Sequence, residues 1–345
     1  MPKVTLCLVF PHVVLGGGET AMMEVAEGLR EAVDLDVCAL DQMETEGVAT
    51  IRGELAERFG RAAFLRERWE LRPRLRAADV VLWYGVSNAV PKALSAYVRR
   101  PGSIRVVHTD RAVDGPGFAR RWRRVIDALV CVSPAVARRI PGACFIPNTC
   151  SLARLVGPQR EFFPAEPARK TLGWAGRLVP LKNVSWLIDH VEEIGCNLLL
   201  QALDTPLLTV ADLMRRAGER VRFLPPGRDL GTLLRSVDAL AVVSRHEGFP
   251  VVVVEAGRLG VPVISTRVGA LPELFADEIL FVDGVDGAEG VPDAPSLRRA
   301  LAAAGPAWGE RLRAKVGALC DRDAVVARYL DLIDRVHRER RRDAA

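Results

Sequence analysis

The chain is predicted to be an α/β protein with two domains, each built on a parallel sheet covered by helices. Its 345 residues exceed the roughly 100 to 200 residues of a usual single domain. Short apolar runs alternate with segments of helical periodicity, which is the βαβ pattern. A proline-rich, charged stretch, GPQREFFPAEPARK (157–170), separates two series of such runs. We therefore expect two Rossmann-like domains that face one another.

The first series predicts a domain over residues 1–160. It opens with KVTLCLVF (3–10), and the following segment ETAMMEVAEGLREA (19–32) has its apolar residues on one helical face. Further strands are predicted at VDLDVCAL (33–40), DVVLWY (79–84), SIRVVH (103–108), DALVCV (127–132) and ACFIP (143–147). Continuous Val and Leu runs of this kind are typical of parallel strands buried on both faces.

The second series predicts a domain over residues 168–322. Its strands are predicted at TLGWAG (171–176), NLLLQ (197–201), VRFLP (221–225), ALAVVS (239–244), VPVIST (261–266) and EILFV (278–282). The remaining residues, 323–345, contain the amphipathic pattern VVARYLDLIDRVHRERRR (325–342), which predicts a long helix with a basic tail. We expect this helix to pack back on the N-terminal domain.

Composition excludes several classes of protein. Hydrophobic residues make up 49% and charged residues 26%, as in a soluble globular protein, and the net charge of +5 suits an anionic ligand without indicating nucleic acid. The seven cysteines lack a CxxC pair, so neither a disulfide framework nor a zinc site is indicated. The first apolar run is too short for a signal peptide, and no run of 18 apolar residues occurs. We expect a cytoplasmic protein that is soluble or lies on the inner membrane surface.

Loops that follow strands hold the candidate site residues, because ligands of open α/β sheets bind at the carboxyl ends of strands. In GGGET (16–20), Gly17 and Gly18 let backbone N–H groups approach an anion at a helix N-terminus; a flexible turn is the alternative. In GRLVPLKN (176–183), Arg177 and Lys182 suit a diphosphate; the alternative is a pair of solvated cations.

Two further loops complete the predicted site. In HEGFPVVVVEA (246–256), Glu247 precedes a helix and Glu255 lies about one turn inside it, so the two carboxylates are expected to meet one polyhydroxylated ligand. In VVHTD (106–110), His108 and Asp110 end a first-domain strand, and a structural histidine is the alternative there.

These loops, in this order, resemble glycosyltransferase family 4, the retaining nucleotide-sugar transferases of the GT-B fold. The E-x7-E pattern from Glu247 to Glu255 is the strongest element. It is accompanied by GR…K, by PN (147–148), by GVPVISTRVGALPEL (260–274) and by the glycine-rich first loop. The resemblance implies two facing Rossmann-like domains with a deep interdomain cleft.

The resemblance also implies roles for individual residues. Glu255 is expected to bind the donor's ribose hydroxyls, and Arg177 and Lys182 its diphosphate. Glu247 is expected to hold the donor sugar, together with the backbone of Gly248, Phe249, Pro250 and Val251. Gly17 and Gly18 are expected to approach the phosphates, and His108 to lie near the sugar and the acceptor. No metal or other cofactor is implied.

Three positions depart from the family's pattern. Thr149 follows PN and Asn183 follows the lysine, where such sequences often have glycine, and Ala270 replaces the second glycine of a pair. These departures question the local backbone geometry. The sequence Asp34-Leu35-Asp36 matches a metal-binding DxD only superficially, since it begins a predicted strand, and we interpret it as structural.

The function predicted is transfer of a sugar from a UDP-sugar, or alternatively a GDP-sugar, to a hydroxyl of a secondary metabolite such as an antibiotic or of a cell-envelope glycan. The alternatives are a nucleotide-sugar epimerase, a sugar phosphorylase or an inactive nucleotide-sugar-binding partner.

The segment FARRWRRVIDALV (118–130) carries four clustered arginines, which predict either a solvated helix face or contact with an anionic membrane or acceptor.

Overall fold

The computed structural model describes residues 3–41, 48–85, 94, 101–107, 125–165, 168–225, 230–283 and 292–344. The chain divides into two compact units. Unit 1 contains Met1–Glu46, Thr50–Thr149 and Arg322–Ala345, and unit 2 contains Gly47–Ala49 and Cys150–Asp321. Each unit has its own sheet and its own buried core.

Unit 1 contains a seven-stranded sheet in the order β3-β2-β1-β4-β5-β6-β7, in which every pair of neighbours is parallel. The strands are β1 (Thr5–Phe10), β2 (Asp34–Leu40), β3 (Ala63–Leu65), β4 (Val80–Tyr84), β5 (Gly102–Val107), β6 (Ala128–Cys131) and β7 (Ala143–Phe145). The described helices are α1 (Gly17–Leu29), α2 (Arg52–Phe59), α3 (Leu71–Ala77), α4 (Pro134–Arg139) and, from the end of the chain, α13 (Arg322–Ala344). The central strands β1, β4 and β5 are almost wholly buried, as the continuous apolar runs predict.

Helix α13 belongs to unit 1 although it ends the chain. Its apolar residues Leu332, Ile333 and Val336 are buried. At its first turn, Arg322 Nε lies 3.7 Å from Glu24 Oε2 of α1, and near its end Arg340 forms an ion pair with Asp127. The helix is therefore fixed to unit 1 by an apolar face and by ion pairs near both ends.

Unit 2 contains a six-stranded sheet in the order β10-β9-β8-β11-β12-β13, again with parallel neighbours throughout. The strands are β8 (Thr171–Arg177), β9 (Asn197–Leu203), β10 (Val221–Leu224), β11 (Ala239–Val242), β12 (Val263–Ser265) and β13 (Leu280–Phe281). The helices are α5 (Val184–Asp189), α6 (Val191–Ile194), α7 (Val210–Met214), α8 (Leu230–Arg235), α9 (Val251–Leu259), α10 (Leu271–Leu274), α11 (Ala294–Ala303) and α12 (Pro306–Leu319). Among the described residues, 3₁₀ turns lie at Leu152–Arg154 and Pro180–Lys182 in unit 2, and at Arg68–Glu70 in unit 1.

The segment that precedes β8 packs on unit 2. Arg235 donates from Nη1 to the carbonyl of Leu155 at 2.8 Å, and the N–H of Arg160 donates to Ser236 Oγ at 2.9 Å. Unit 2 thus includes the chain from Cys150 onward, whereas the sequence predicts a first domain that extends to residue 160. Residues 150–160 are held by these hydrogen bonds and are not an open linker.

The prediction of two Rossmann-like α/β domains is confirmed by the two parallel sheets. Strand β3 was not predicted, because it has three residues and lies at the edge of the sheet.

Within the described ranges, no helix is both long and apolar enough to cross a membrane.

Candidate functional site

The carboxyl edge of unit 2 brings two of the predicted loops together. Strands β8 and β11 are parallel neighbours, so the residues that follow them lie at one edge of the sheet. Lys182 ends the 3₁₀ turn after β8, and Glu247 lies in the loop after β11. The ammonium group of Lys182 forms an ion pair with Glu247 Oε1. The two charged residues predicted from separate motifs are therefore in direct contact.

Ser244 fixes the carboxylate of this pair. Its Oγ donates to the same oxygen, Glu247 Oε1, at 2.7 Å. The side chain of Lys182 is 24% exposed and that of Glu247 is 11% exposed, so the pair is partly shielded from water. Arg177, the last residue of β8, is exposed at the same edge of the sheet. Two cations and one oriented carboxylate thus gather at the carboxyl edge of unit 2.

Asn183 explains how the chain turns after Lys182. Its backbone is left-handed, with φ 52° and ψ 24°, a conformation that asparagine tolerates better than most residues. Its Nδ2 donates to the carbonyl of Val243 at 2.8 Å, and its Oδ1 accepts from Arg245 Nε at 3.0 Å. This departure from glycine therefore preserves the turn and also ties the loop after β8 to the loop after β11.

Helix α9 positions the second carboxylate. Its apolar residues Val251, Val253 and Val254 are buried, and Glu255, in its second turn, is only 7% exposed. The ring of Phe249 is also buried, 5.8 Å from the ring of Phe275. Glu255 is therefore a buried carboxylate and does not lie on a solvated helix face.

The loop after β12 depends on a glycine that precedes the departure at Ala270. Gly269 has φ 56°, and a side-chain carbon there would lie 2.2 Å from the carbonyl oxygen of Gly248. Ala270 is right-handed, with φ −79°, and its N–H donates to that same carbonyl at 2.8 Å. Alanine is therefore compatible with position 270, and the close approach to Gly248 is made possible by Gly269.

In unit 1, the glycine-rich loop meets a polar cluster that the sequence did not reveal. Helix α1 starts at Gly17, and a side-chain carbon at Gly18 would lie 2.4 Å from Tyr84 Oη. Tyr84 Oη donates to Glu19 Oε1 at 2.9 Å, and His12 Nε2 lies 3.3 Å from the same oxygen. Glu19 is 2% exposed and lies in the first turn of α1, where the helix dipole favours a negative charge. Gly18 therefore has a structural role, which is to admit Tyr84.

Some predicted positions receive no structural account. His108 and the arginine cluster within 118–130 lie outside the described residues.

The motif Asp34-Leu35-Asp36 opens β2, and Asp36 forms an ion pair with Arg74. Among the described residues, no group of three or more His, Cys, Asp or Glu side chains has the arrangement of a metal site.

Part of the chain matches a known protein family. Residues 169–303 match the family model described as Glycosyl transferases group 1. The match lies within unit 2 and covers less than half of the chain. The matched range includes Arg177, Lys182 and both glutamates of the E-x7-E pattern.

Two curated relatives are named D-inositol 3-phosphate glycosyltransferase. The protein from Salinispora tropica is 46% identical over 89 residues, which cover 25% of this chain and 18% of that protein. The protein from Saccharomonospora viridis is 32% identical over 193 residues, which cover 50% of this chain and 42% of that protein. The matched region therefore spans less than half the length of these relatives.

A solved structure shares the fold over nearly the whole chain. HepE from Anabaena has a TM-score of 0.73 at 15% identity, covering 96% of this chain and 99% of HepE. This likeness concerns the fold.

Proposed function

We propose that the chain is a retaining glycosyltransferase that moves a sugar from a nucleotide diphosphate sugar to a hydroxyl group of an acceptor. The contact of Lys182 with Glu247, fixed by Ser244, carries the proposal. It lies at the carboxyl edge of unit 2 and within the matched glycosyl transferases group 1 domain. Binding a nucleotide sugar requires a cation for its phosphates and a hydrogen-bond acceptor for its sugar hydroxyls. Lys182 provides the cation, and Glu247 provides the hydrogen-bond acceptor.

A UDP-sugar is the favoured donor and a GDP-sugar the alternative. HepE, which shares the fold, was crystallised with UDP and with UDP-glucose, and this supports testing UDP-sugars first. In the proposed complex, Arg177 and Lys182 bind the diphosphate and Glu255 accepts hydrogen bonds from the ribose hydroxyls. Lys182 has three N–H donors, so it can bind a phosphate oxygen while it keeps Glu247 in place. Glu247 then accepts from a hydroxyl of the sugar.

In the proposed reaction, the bond between the anomeric carbon and the diphosphate oxygen breaks, and negative charge develops on the leaving diphosphate. Arg177 and Lys182 stabilise that charge, which lowers the barrier without covalent chemistry by the protein. The acceptor oxygen bonds to the anomeric carbon on the same face, and its proton passes to the leaving phosphate oxygen. We propose that this proceeds without a metal ion, since cationic side chains hold the diphosphate.

For the acceptor, we propose a hydroxyl-bearing secondary metabolite or cell-envelope glycan. Relatives are named for an inositol phosphate, and this supports assaying a small polyol phosphate among the first acceptors. We also propose a cytoplasmic location, with peripheral contact to an anionic inner membrane surface through the arginines of 118–130. Co-sedimentation with anionic liposomes, weakened by salt, tests that contact.

The decisive experiment is an incubation with a panel of UDP- and GDP-sugars and hydroxyl acceptors, read as nucleotide release and product mass. Arg177→Ala and Lys182→Ala are each expected to lower turnover by roughly 10²-fold or more, because each removes a preorganised donor to the developing charge. Arg216→Ala is the matched control, since this exposed arginine of unit 2 pairs with Asp189 instead. Equal losses in all three variants would show that the effect is general to surface cations.

Three results would redirect the assignment. Loss of turnover in EDTA with recovery in magnesium would contradict metal independence. Formation of an epimer from the donor without acceptor would favour the epimerase, and phosphate-dependent sugar release from a glycan would favour the phosphorylase. Donor binding without turnover over the whole acceptor panel would favour an inactive binding partner.

A further inference from the structure

A further cation, Arg245, lies at the carboxyl edge of unit 2 beside the ion pair of Lys182 with Glu247. It belongs to the loop after β11 and precedes Glu247 by two residues, and its N–H donates to the carbonyl of Leu181 at 2.8 Å. Two residues of chain span at most about 7 Å, so Arg245 and Glu247 are close in space. The side chain of Arg245 is exposed, so a ligand at this edge can touch it.

The guanidinium group of Arg245 is held by a buried amide. Its Nε donates to Asn183 Oδ1 at 3.0 Å, and Asn183 Nδ2 donates in turn to the carbonyl of Val243 at 2.8 Å. Asn183 is only 7% exposed, so its position is fixed by the protein. An exposed arginine normally samples many rotamers, and a ligand that binds it must offset the free energy of ordering them. The contact with Asn183 orders Arg245 before a ligand binds.

This contact leaves most of the guanidinium group for a ligand. An arginine has five N–H donors, of which one is on Nε and four are on Nη1 and Nη2. In the described part of the chain, the hydrogen bond to Asn183 is the only polar contact that the side chain of Arg245 makes, and it forms no ion pair there. The remaining donors lie in one plane and match the two oxygens of a carboxylate.

The charge of Arg245 is not needed for the diphosphate. In the proposed complex, Arg177 and Lys182 already bind that group. Another exposed arginine of the same edge, Arg267 in the loop after β12, has its Cζ 4.9 Å from the centroid of the Phe281 ring and so has a partner within the protein. Arg245 is therefore an ordered positive charge beyond those that the diphosphate uses.

We propose that Arg245 binds a carboxylate carried by the transferred sugar, so that the donor is a nucleotide diphosphate uronic acid. This inference rests on the proposed function, in which Glu247 accepts from a hydroxyl of that sugar. Because Arg245 and Glu247 share one loop, the same sugar can contact both side chains, one through its carboxylate and the other through a hydroxyl. A neutral hexose would leave the charge of Arg245 without a partner.

Calorimetric titration with UDP-glucuronate and with UDP-glucose tests the inference, because these donors differ only at C6, where a carboxylate replaces a hydroxymethyl group. The unmodified protein is expected to bind UDP-glucuronate at least about fivefold more tightly, with a preference that shrinks as salt is added. Arg245→Gln is expected to abolish the preference. Asn183→Gly accepts the left-handed turn but releases the guanidinium group, so it is expected to reduce the preference in part.

Arg267→Gln is the matched control, since it removes the same charge from an exposed arginine at the same edge, and it is expected to keep the preference. Equal loss of preference in Arg245→Gln and Arg267→Gln would assign the effect to general electrostatics and overturn the inference. A preference that persists in Arg245→Gln also overturns it. If Arg245→Gln instead lowers turnover of a phosphorylated acceptor relative to its neutral form, with no donor preference, the residue belongs to acceptor binding and the inference is wrong.

Failure of the inference can be told apart from failure of the proposed function. If UDP-glucose binds as tightly as UDP-glucuronate, the inference fails and the proposed function stands. If only GDP donors bind, GDP-mannuronate and GDP-mannose form the equivalent pair, with the same expected preference and the same variants. If no donor of either nucleotide binds, the proposed function itself fails, and this inference fails with it.

Discussion

The strength of the Lys182–Glu247 ion pair can be measured with a double-mutant cycle of Lys182→Met and Glu247→Gln. Glutamine keeps an oxygen for Ser244 Oγ, so the cycle isolates the loss of charge from the loss of the hydrogen bond. Two unit charges about 4 Å apart attract by about 4 kcal/mol at an effective dielectric constant near 20. Desolvation and side-chain ordering offset most of this attraction, since the side chains are 24% and 11% exposed. We expect a coupling energy of about 1 to 2 kcal/mol.

The assay is urea unfolding of the four proteins at one pH and one salt concentration, with coupling taken from the free energies of unfolding. The pair Arg216–Asp189 is the control in the same unit, because its side chains are 49% and 39% exposed. Its cycle of Arg216→Met and Asp189→Asn is expected to give about 0 to 0.5 kcal/mol, with a steeper loss in added salt. If the Lys182–Glu247 coupling is no larger than that of the control, partial burial does not strengthen the pair and the reasoning fails.

Three further predictions follow from close contacts and burial. Gly269→Ala should lower the free energy of unfolding by about 1 to 3 kcal/mol in urea, because φ is 56° and Gly248 blocks a side chain; a neutral effect would contradict this. Gly18→Ala should separate Tyr84 from its hydrogen-bond partner and destabilise unit 1 by about 1 to 3 kcal/mol; most of that loss should vanish in a Tyr84→Ala background, which removes the hydroxyl and the two ring carbons that lie 2.4 to 3.0 Å from the new side-chain carbon. Burial raises the pKa of the Cys196 thiol to about 12, so alkylation by iodoacetamide at pH 8, mapped by mass spectrometry, should require unfolding; rapid labelling of the native protein would refute it.

The sequence predicts the fold well because hydrophobic periodicity reports burial directly. Strand β4 is a continuous apolar run, whereas β5 and β9 combine apolar runs with buried polar residues such as Arg105 and Gln201; both sheets bury these strands on two faces. Strand β3 shows where this fails, since three residues are too few to establish a period. The joining segment 157–170 was misjudged for another reason. Proline content indicates that a segment is irregular, but it does not indicate which unit the segment packs on.

The sequence predicts where the candidate site lies, but it does not predict which side chains contact one another there. Strand ends locate the loops, and the parallel topology brings them to one edge, as it does for Lys182 and Glu247. The partners within each contact are 65 residues apart in the chain, both for Lys182 with Glu247 and for Tyr84 with Glu19. Spacing along the sequence carries no information about such long-range contacts. The Tyr84–Glu19 contact was missed altogether, since Tyr84 belongs to no motif and only the glycines of GGGET (16–20) were considered there.

The two departures from glycine within unit 2 show why a residue type must be judged with its backbone angles. At position 183 the backbone is left-handed, so the substitution matters, and asparagine is compatible because its amide bonds Val243 and Arg245. At position 270 the backbone is right-handed, so glycine is not required there, and the left-handed position is Gly269. Asn183 and Ala270 are thus each compatible with the backbone of their loop. The departures therefore bear on the side chains near Glu247, and the ion pair of Lys182 with Glu247 forms with both residues in place.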